Sequence, residues 1–252
     1  MKSLTISILV LLASWASATT FAETVKIAAE DDWAPYSSIK ADKSGPEGFA
    51  VDIIDAAFKT QGIDVEYVVV PFTRCLHYAK TGITVGCFDA TVIESNKNDY
   101  YWHPTPLFYE ELAIFTHTSS TAANLTQKDL EGKTLGYTIG YTYPTELMEN
   151  PNITKFGAKS DNLLIQMAAA QRIDYILLNG MAGIYKINQI PEAKGKIKKV
   201  GIISIDGFWL AFSKIHPDGK RLVETFEKGL QELKHNGSYA AMETKFRRDL
   251  DK

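Results

Sequence analysis

Residues 63–91 read Ile63-Asp64-Val65-Glu66-Tyr67-Val68-Val69-Val70-Pro71-Phe72-Thr73-Arg74-Cys75-Leu76-His77-Tyr78-Ala79-Lys80-Thr81-Gly82-Ile83-Thr84-Val85-Gly86-Cys87-Phe88-Asp89-Ala90-Thr91. The β-branched run at 65–70 predicts a strand, and Pro71 ends it because proline has no N–H to give to a ladder. Residues 72–80 follow as a helix that Gly82 closes, and 85–88 form another strand that runs into the polar group Asp89-Ala90-Thr91. Upstream, 25–29 is a short strand leading to a polar turn at 31–36. Phe49, Val51, Ile53, Ile54, Ala57 and Phe58 then recur at spacings of three and four, the mark of a helix with one apolar face, stopped by Gly62. The order is β-α-β-α-β, which predicts a mostly parallel sheet with helices on its faces. A ligand in such a sheet sits outside the carboxyl ends of the strands. That singles out Asp31, Asp32 and Trp33 after the first strand, Phe72 and Arg74 after the second, and Asp89 and Thr91 after the third.

The pattern then repeats. After a strand at 112–116 and a polar connector at 118–124, a helical turn at 125–130 precedes a strand at 135–139 that enters Gly140-Tyr141-Thr142-Tyr143. A short helix at 144–149, a strand at 153–156, a helix at 162–170 capped by Ser160 or Asp161, and a strand at 175–178 delivering Asn179 complete the unit. Two lobes are therefore expected. Strands at 197–205 and 208–212 follow, then a helix carrying Leu222, Val223, Phe226, Leu230 and Leu233 at helical spacing, and a last short helix at 239–246.

The chain opens on a leader. Lys2 is the only charge before Glu23, and 4–12 is almost wholly apolar, as in a secretory signal; the run falls short of the roughly 20 residues of a bilayer span. Cleavage after Ala18 or Ala22 is expected, with Ala22 preferred. The chain carries 27 basic and 30 acidic residues without a basic stripe, which argues against nucleic acid as a partner. Cys75 and Cys87 are expected to pair in an oxidising compartment, two buried thiols being the alternative. His77, His103, His117, His216 and His235 share no spacing, and no metal or cofactor is expected.

Several segments, quoted as they stand, carry a resemblance: Gly48-Phe49-Ala50-Val51-Asp52-Ile53-Ile54, Lys80-Thr81-Gly82, Thr91-Val92-Ile93-Glu94, Thr105-Pro106 with Phe108-Tyr109, Leu130-Glu131-Gly132-Lys133-Thr134-Leu135-Gly136, Gln171-Arg172-Ile173-Asp174 and Gly237-Ser238-Tyr239. In this order they resemble the periplasmic solute-binding proteins of the polar amino acid ABC transporter type, family 3. The resemblance implies an α/β, two-lobe periplasmic binding protein fold of type II that closes on its ligand. Carried onto this chain, 1–22 would be the signal peptide, 23–111 and 213–252 the two parts of lobe 1, 118–206 lobe 2, and 112–117 and 207–212 the hinge strands.

Trp33 matches the family's aromatic platform for the ligand, with lobe core as the alternative reading. Phe88, Asp89 and Thr91 match the loop that holds an amino acid's carboxylate; Thr91 suits that role, whereas Asp89 points to an amine or a hydroxyl-rich ligand. The family's carboxylate-pairing Arg falls on Asn96, and its ammonium-pairing Asp on Asn179, so both ends of the usual clamp are neutral. Thr142 and Tyr141 match the second lobe's contact loop. Arg74, from its place after the second strand, is the remaining cation for a ligand or hinge role. The ligand-binding set is thus Trp33, Arg74, Asp89, Thr91, Asn96, Thr142 and Asn179, with no catalytic residue.

The function expected is capture of a small polar solute in the periplasm by a monomer and its delivery to an inner-membrane permease. A ligand-sensing module for a membrane receptor is the alternative. A dehydratase-like enzyme is a further one, for which Asp89 and Glu94 are the cleft carboxylates available and nothing pairs them with a nucleophile; no Gly-x-Ser-x-Gly, phosphate loop or His-Glu-x-x-His is present.

Overall fold

The computed structural model describes residues 23–250, so the expected leader lies outside the described residues. The first half opens with β1 (Glu23–Glu30), the short strands β2 (Asp32–Trp33), β3 (Ser37–Ile39) and β4 (Pro46–Glu47), and α1 (Phe49–Thr60). It continues through β5 (Ile63–Val70), α2 (Phe72–Thr81), β6 (Gly86–Ala90) and β7 (Tyr100–Trp102). After β8 (Phe108–His117), the second half is built from β9 (Thr134–Thr138), α3 (Thr145–Glu149), β10 (Thr154–Ala158), α4 (Asp161–Ala169), β11 (Tyr175–Asn179) and α5 (Gly180–Gln189). β12 (Ile197–Ser213) returns to the first half, which α6 (Gly219–His235) and α7 (Ser238–Leu250) complete.

The main sheet runs β10-β9-β11-β8-β12-β6-β1-β5, with β7 also paired to β12. Each half holds a parallel set, β6-β1-β5 in one and β10-β9-β11 in the other. The antiparallel pair β8 and β12 joins them. The parallel sets are what the two β-α-β runs of the sequence predict, and their strand ends face the seam between the halves. Each half has its own buried clusters: Ile27, Ile53, Ile54, Phe58, Phe212 and Phe226 belong to the first, while Phe115, Leu164, Ile165 and Ile176 belong to the second. The helix face read at 49–58 is the buried face of α1.

Three local features depart from the sequence reading. The candidate strands at 197–205 and 208–212 are one strand of 17 residues. Asp206-Gly207 does not break it because both residues are paired to β8, with β6 and β7 taking over after Phe208, and the bends are absorbed as register shifts at Lys199/Gly201 and Ile202/Ser204. The sequence reading places no helix at 180–189, where Gly180 and Gly183 stand; Gly183 is needed because a Cβ there would lie 2.8 Å from Leu178 Cβ. The turn read at 31–36 is part of a small antiparallel sheet, β2-β3-β4, whose strands are too short to show alternation.

Cys75 and Cys87 form a disulfide with Cα atoms 5.4 Å apart, tying α2 to β6. Ser160 accepts a hydrogen bond from the Leu163 amide and so caps α4. Among the described residues no helix is long and apolar enough to cross a membrane.

Candidate functional site

Strand ends from both halves converge on a pocket on the seam between them. From the first half, β1 supplies Glu30, β2 supplies Trp33, the start of α2 supplies Phe72, and the end of β6 supplies Asp89 and Thr91. From the second come Tyr141, Thr142 and Tyr143 after β9 and Asn179 at the end of β11, while the joining strands contribute Leu112, Asp206 and Phe208. This is the carboxyl-end crevice that parallel sheets offer a ligand, here doubled.

Five of the expected ligand residues, Trp33, Asp89, Thr91, Thr142 and Asn179, line this pocket together. Trp33 also packs at 4.7 Å on Tyr36 and 4.8 Å on Phe208, a buried core ring that reaches the pocket. Arg74 and Asn96 are outside the lining. Arg74 is exposed on the first turn of α2. Asn96 spends its amide on its own loop: Oδ1 accepts from the Ile93 N–H at 2.9 Å and Nδ2 donates to the Thr91 carbonyl at 2.8 Å. Its work is to shape the turn that presents Thr91.

Glu30 is the residue that strand-end reasoning stepped over. The predicted strand stopped at Ala29 and the watched residues began at Asp31, although Glu30 is the last residue of β1. Its carboxylate is buried, and burial, with Asp161 and Asp32 adding to it, outweighs a hydrogen bond from Tyr141 and the charge of Lys186, lifting its pKa to about 8. Asp206 escaped notice as a single polar residue between two apolar runs. Glu94, expected with Asp89 as a cleft carboxylate, is instead exposed and paired with Lys97 at 2.7 Å; the acidic residues of the pocket are Glu30, Asp89 and Asp206.

Asp89 is the most unusual side chain of the site. It is 4% exposed, adopts φ 63°, and neither carboxylate oxygen meets a hydrogen-bond donor among the described residues. Burial first, and Glu30 second, hold its pKa well above the ordinary carboxylate value.

The halves touch around the pocket. Tyr141 donates to Glu30 Oε1 at 2.7 Å, and its ring meets Phe72 edge-on. Lys186 of α5 donates to the Asp32 carbonyl at 2.6 Å and pairs with the Asp32 and Asp161 carboxylates at 3.3 and 3.2 Å. Thr138 donates to the other oxygen of Asp161 at 2.5 Å. Burial works against the charge on Lys186, but Asp161 and Asp32 outweigh it and raise its pKa. Gly140 lies so near Thr73 that a Cβ would sit 2.3 Å from Thr73 Cγ2.

Of the glutamates at the joining strand, Glu110 is buried, accepts from the Tyr36 hydroxyl and from the Glu111 and Met181 amides, and thereby occupies the start of α5; Glu111 pairs with Lys199.

A doubled parallel sheet with its pocket on the seam is the architecture of a two-lobe binding protein. The family model of the bacterial extracellular solute-binding proteins, family 3, matches residues 25–249, and the chain belongs to that family. It is 24% identical over 226 residues to a probable histidine-binding protein of Campylobacter jejuni, across 88% of this chain and 84% of that one. Among solved structures it is similar to a histidine kinase sensor domain that resembles periplasmic binding proteins, at 20% identity and a TM-score of 0.78 over 88% of this chain and 95% of that one. It is also similar to an ancestral arginine-binding protein bound to arginine, at 21% identity and a TM-score of 0.76 over 88% and 97% of the two chains. Their likeness to this chain lies in the fold.

Proposed function

We propose that the chain is exported to the periplasm, captures a small polar solute between its lobes and hands it to an ABC-type inner-membrane permease. In this reading 1–22 is removed, 23–111 with 213–252 forms one lobe, 118–206 forms the other, and 112–117 and 207–212 act as hinges. Trp33, Asp89, Thr91, Thr142 and Asn179 contact the solute directly, and Asn96 acts by holding the Thr91 loop.

The observation that carries the reading is the pocket on the seam, lined from both sides at strand carboxyl ends. A solute touching both walls favours the shut arrangement by its differential affinity for it, and a partner that recognises only that arrangement then reads occupancy. The relatives add weight, being named for histidine or bound to arginine, both small polar solutes.

A thermal-shift panel of amines, sugars, organic acids, small peptides and amino acids, run on protein unfolded and refolded to shed carried ligand, tests it. One class is expected to raise the melting temperature by mass action; a flat response across all classes counts against capture. The sensor reading has its own support in the histidine kinase sensor domain of the same fold. A permease reconstituted in liposomes separates the two: loaded protein is expected to stimulate ATP hydrolysis in the delivery reading and to leave it unchanged in the sensor reading.

A further inference from the structure

We propose that the solute is an organic cation, an amine or guanidinium compound, that carries no α-carboxylate. This rests on the capture reading and narrows it.

Three carboxyl groups, those of Glu30, Asp89 and Asp206, line the pocket, and among the described residues no Lys or Arg does. Asp206 has one local donor, the Ser204 hydroxyl at 2.6 Å, and Glu30 has the Tyr141 hydroxyl. Asp89 has none. A buried carboxylate without a partner is costly, on the order of several kcal/mol if ionised, and proteins rarely keep one unless something from outside completes it. What completes a carboxylate is an N–H donor, and a charged one does so most strongly. The walls suit the same guest: Trp33, Phe72, Tyr141 and Phe208 offer ring faces that attract a desolvated cation.

The opposite requirement, a seat for a carboxylate, is not met. The cation that acts on Glu30 is Lys186, and its charge is already shared between Asp161 and Asp32. Arg74 is exposed outside the lining and Asn96 is spent on its loop. Asn179 Nδ2 is directed at the Glu111 carbonyl at 3.4 Å. An amino acid would therefore bury its carboxylate in this pocket with hydroxyls and backbone amides, but no cation among the described residues, to receive it.

Matched pairs isolate that one group. Titration calorimetry on refolded wild-type protein compares agmatine with arginine, histamine with histidine, and putrescine with ornithine. In at least one pair the amine is expected to bind ten-fold or more tightly than its amino acid, and Asp89→Asn to weaken that amine by ten-fold or more while leaving the fold intact by circular dichroism. Asp206→Asn, at a less buried position, is a second variant expected to weaken it. An amino acid that binds more tightly than its amine, or a neutral or anionic solute that binds while amines do not, overturns the cation assignment and leaves capture standing. No binding by any class overturns both.

Discussion

Two buried acidic clusters lie on the same seam, and they are built oppositely. Around Lys186, every charge has an answer: Asp161 receives Lys186 and Thr138, and Lys186 also reaches the carbonyl and carboxylate of Asp32. Around Asp89, the second carboxylate nearby is Glu30, and both oxygens of Asp89 go without a donor. The first cluster is complete in the chain itself and fastens the halves. The second has no such completion among the described residues, and in the proposed reading a guest supplies it. Burial of charge by itself therefore does not mark a binding site; burial without satisfaction does.

The largest effect is expected where the complete cluster is broken. Lys186→Met leaves Asp161 buried and without its cation, and should lower unfolding stability by about 3–5 kcal/mol in urea titrations; a loss below about 1 kcal/mol would put the two clusters on an equal footing. Next is pH. Glu30 holds its proton in the fold up to about 8 but loses it near 4.5 when unfolded, so its contribution is whole below 4.5 and drains away as pH rises toward 8. The groups that set this are Tyr141, Lys186, Asp161 and Asp32. The ligand-free protein should lose stability by up to about 1.4 kcal/mol per pH unit from this one residue across that window. Glu30→Gln should flatten the slope, measured by chemical denaturation from pH 5 to 8.

Asp89→Asn should act in the direction opposite to Lys186→Met. By removing an ionisable group whose pKa is raised, it is expected to stabilise the ligand-free protein at pH 8 by about 1–3 kcal/mol, with the gain fading toward pH 4. Destabilisation at pH 8 would mean that the carboxylate is already answered. The smallest effect belongs to Tyr141→Phe, which removes one hydrogen bond to Glu30 and should cost about 1 kcal/mol while moving the Glu30 slope to higher pH.

Much of this was legible in the residues. The strand-end rule found Trp33, Asp89 and Thr91, and the resemblance added Thr142 and Asn179, because parallel sheets leave their carboxyl ends as the open edge whatever the details of packing. What escaped has local causes. Glu30 was lost to a one-residue error in where a strand ends, the least certain part of any such reading. Lys186 was passed over because a lysine is ordinarily exposed, and only the folded chain reveals that Asp161 and Asp32 surround it. Asn96 was placed correctly in its loop, but hydrogen bonds to the Ile93 amide and Thr91 carbonyl, which no spacing encodes, decide that it faces its own backbone.

The return of β12 has a consequence for the order in which the chain acquires structure. The buried clusters of the second half draw only on residues between 112 and 200, whereas the main cluster of the first half needs Phe208, Phe212, Leu222, Phe226 and Leu230. The half that begins the chain therefore cannot close its interior until the residues after 207 join it, while the half between them carries its own. A fragment ending at residue 205 would hold every buried residue of the second half's clusters and lack Phe208, Phe212, Leu222, Phe226 and Leu230 of the first half's.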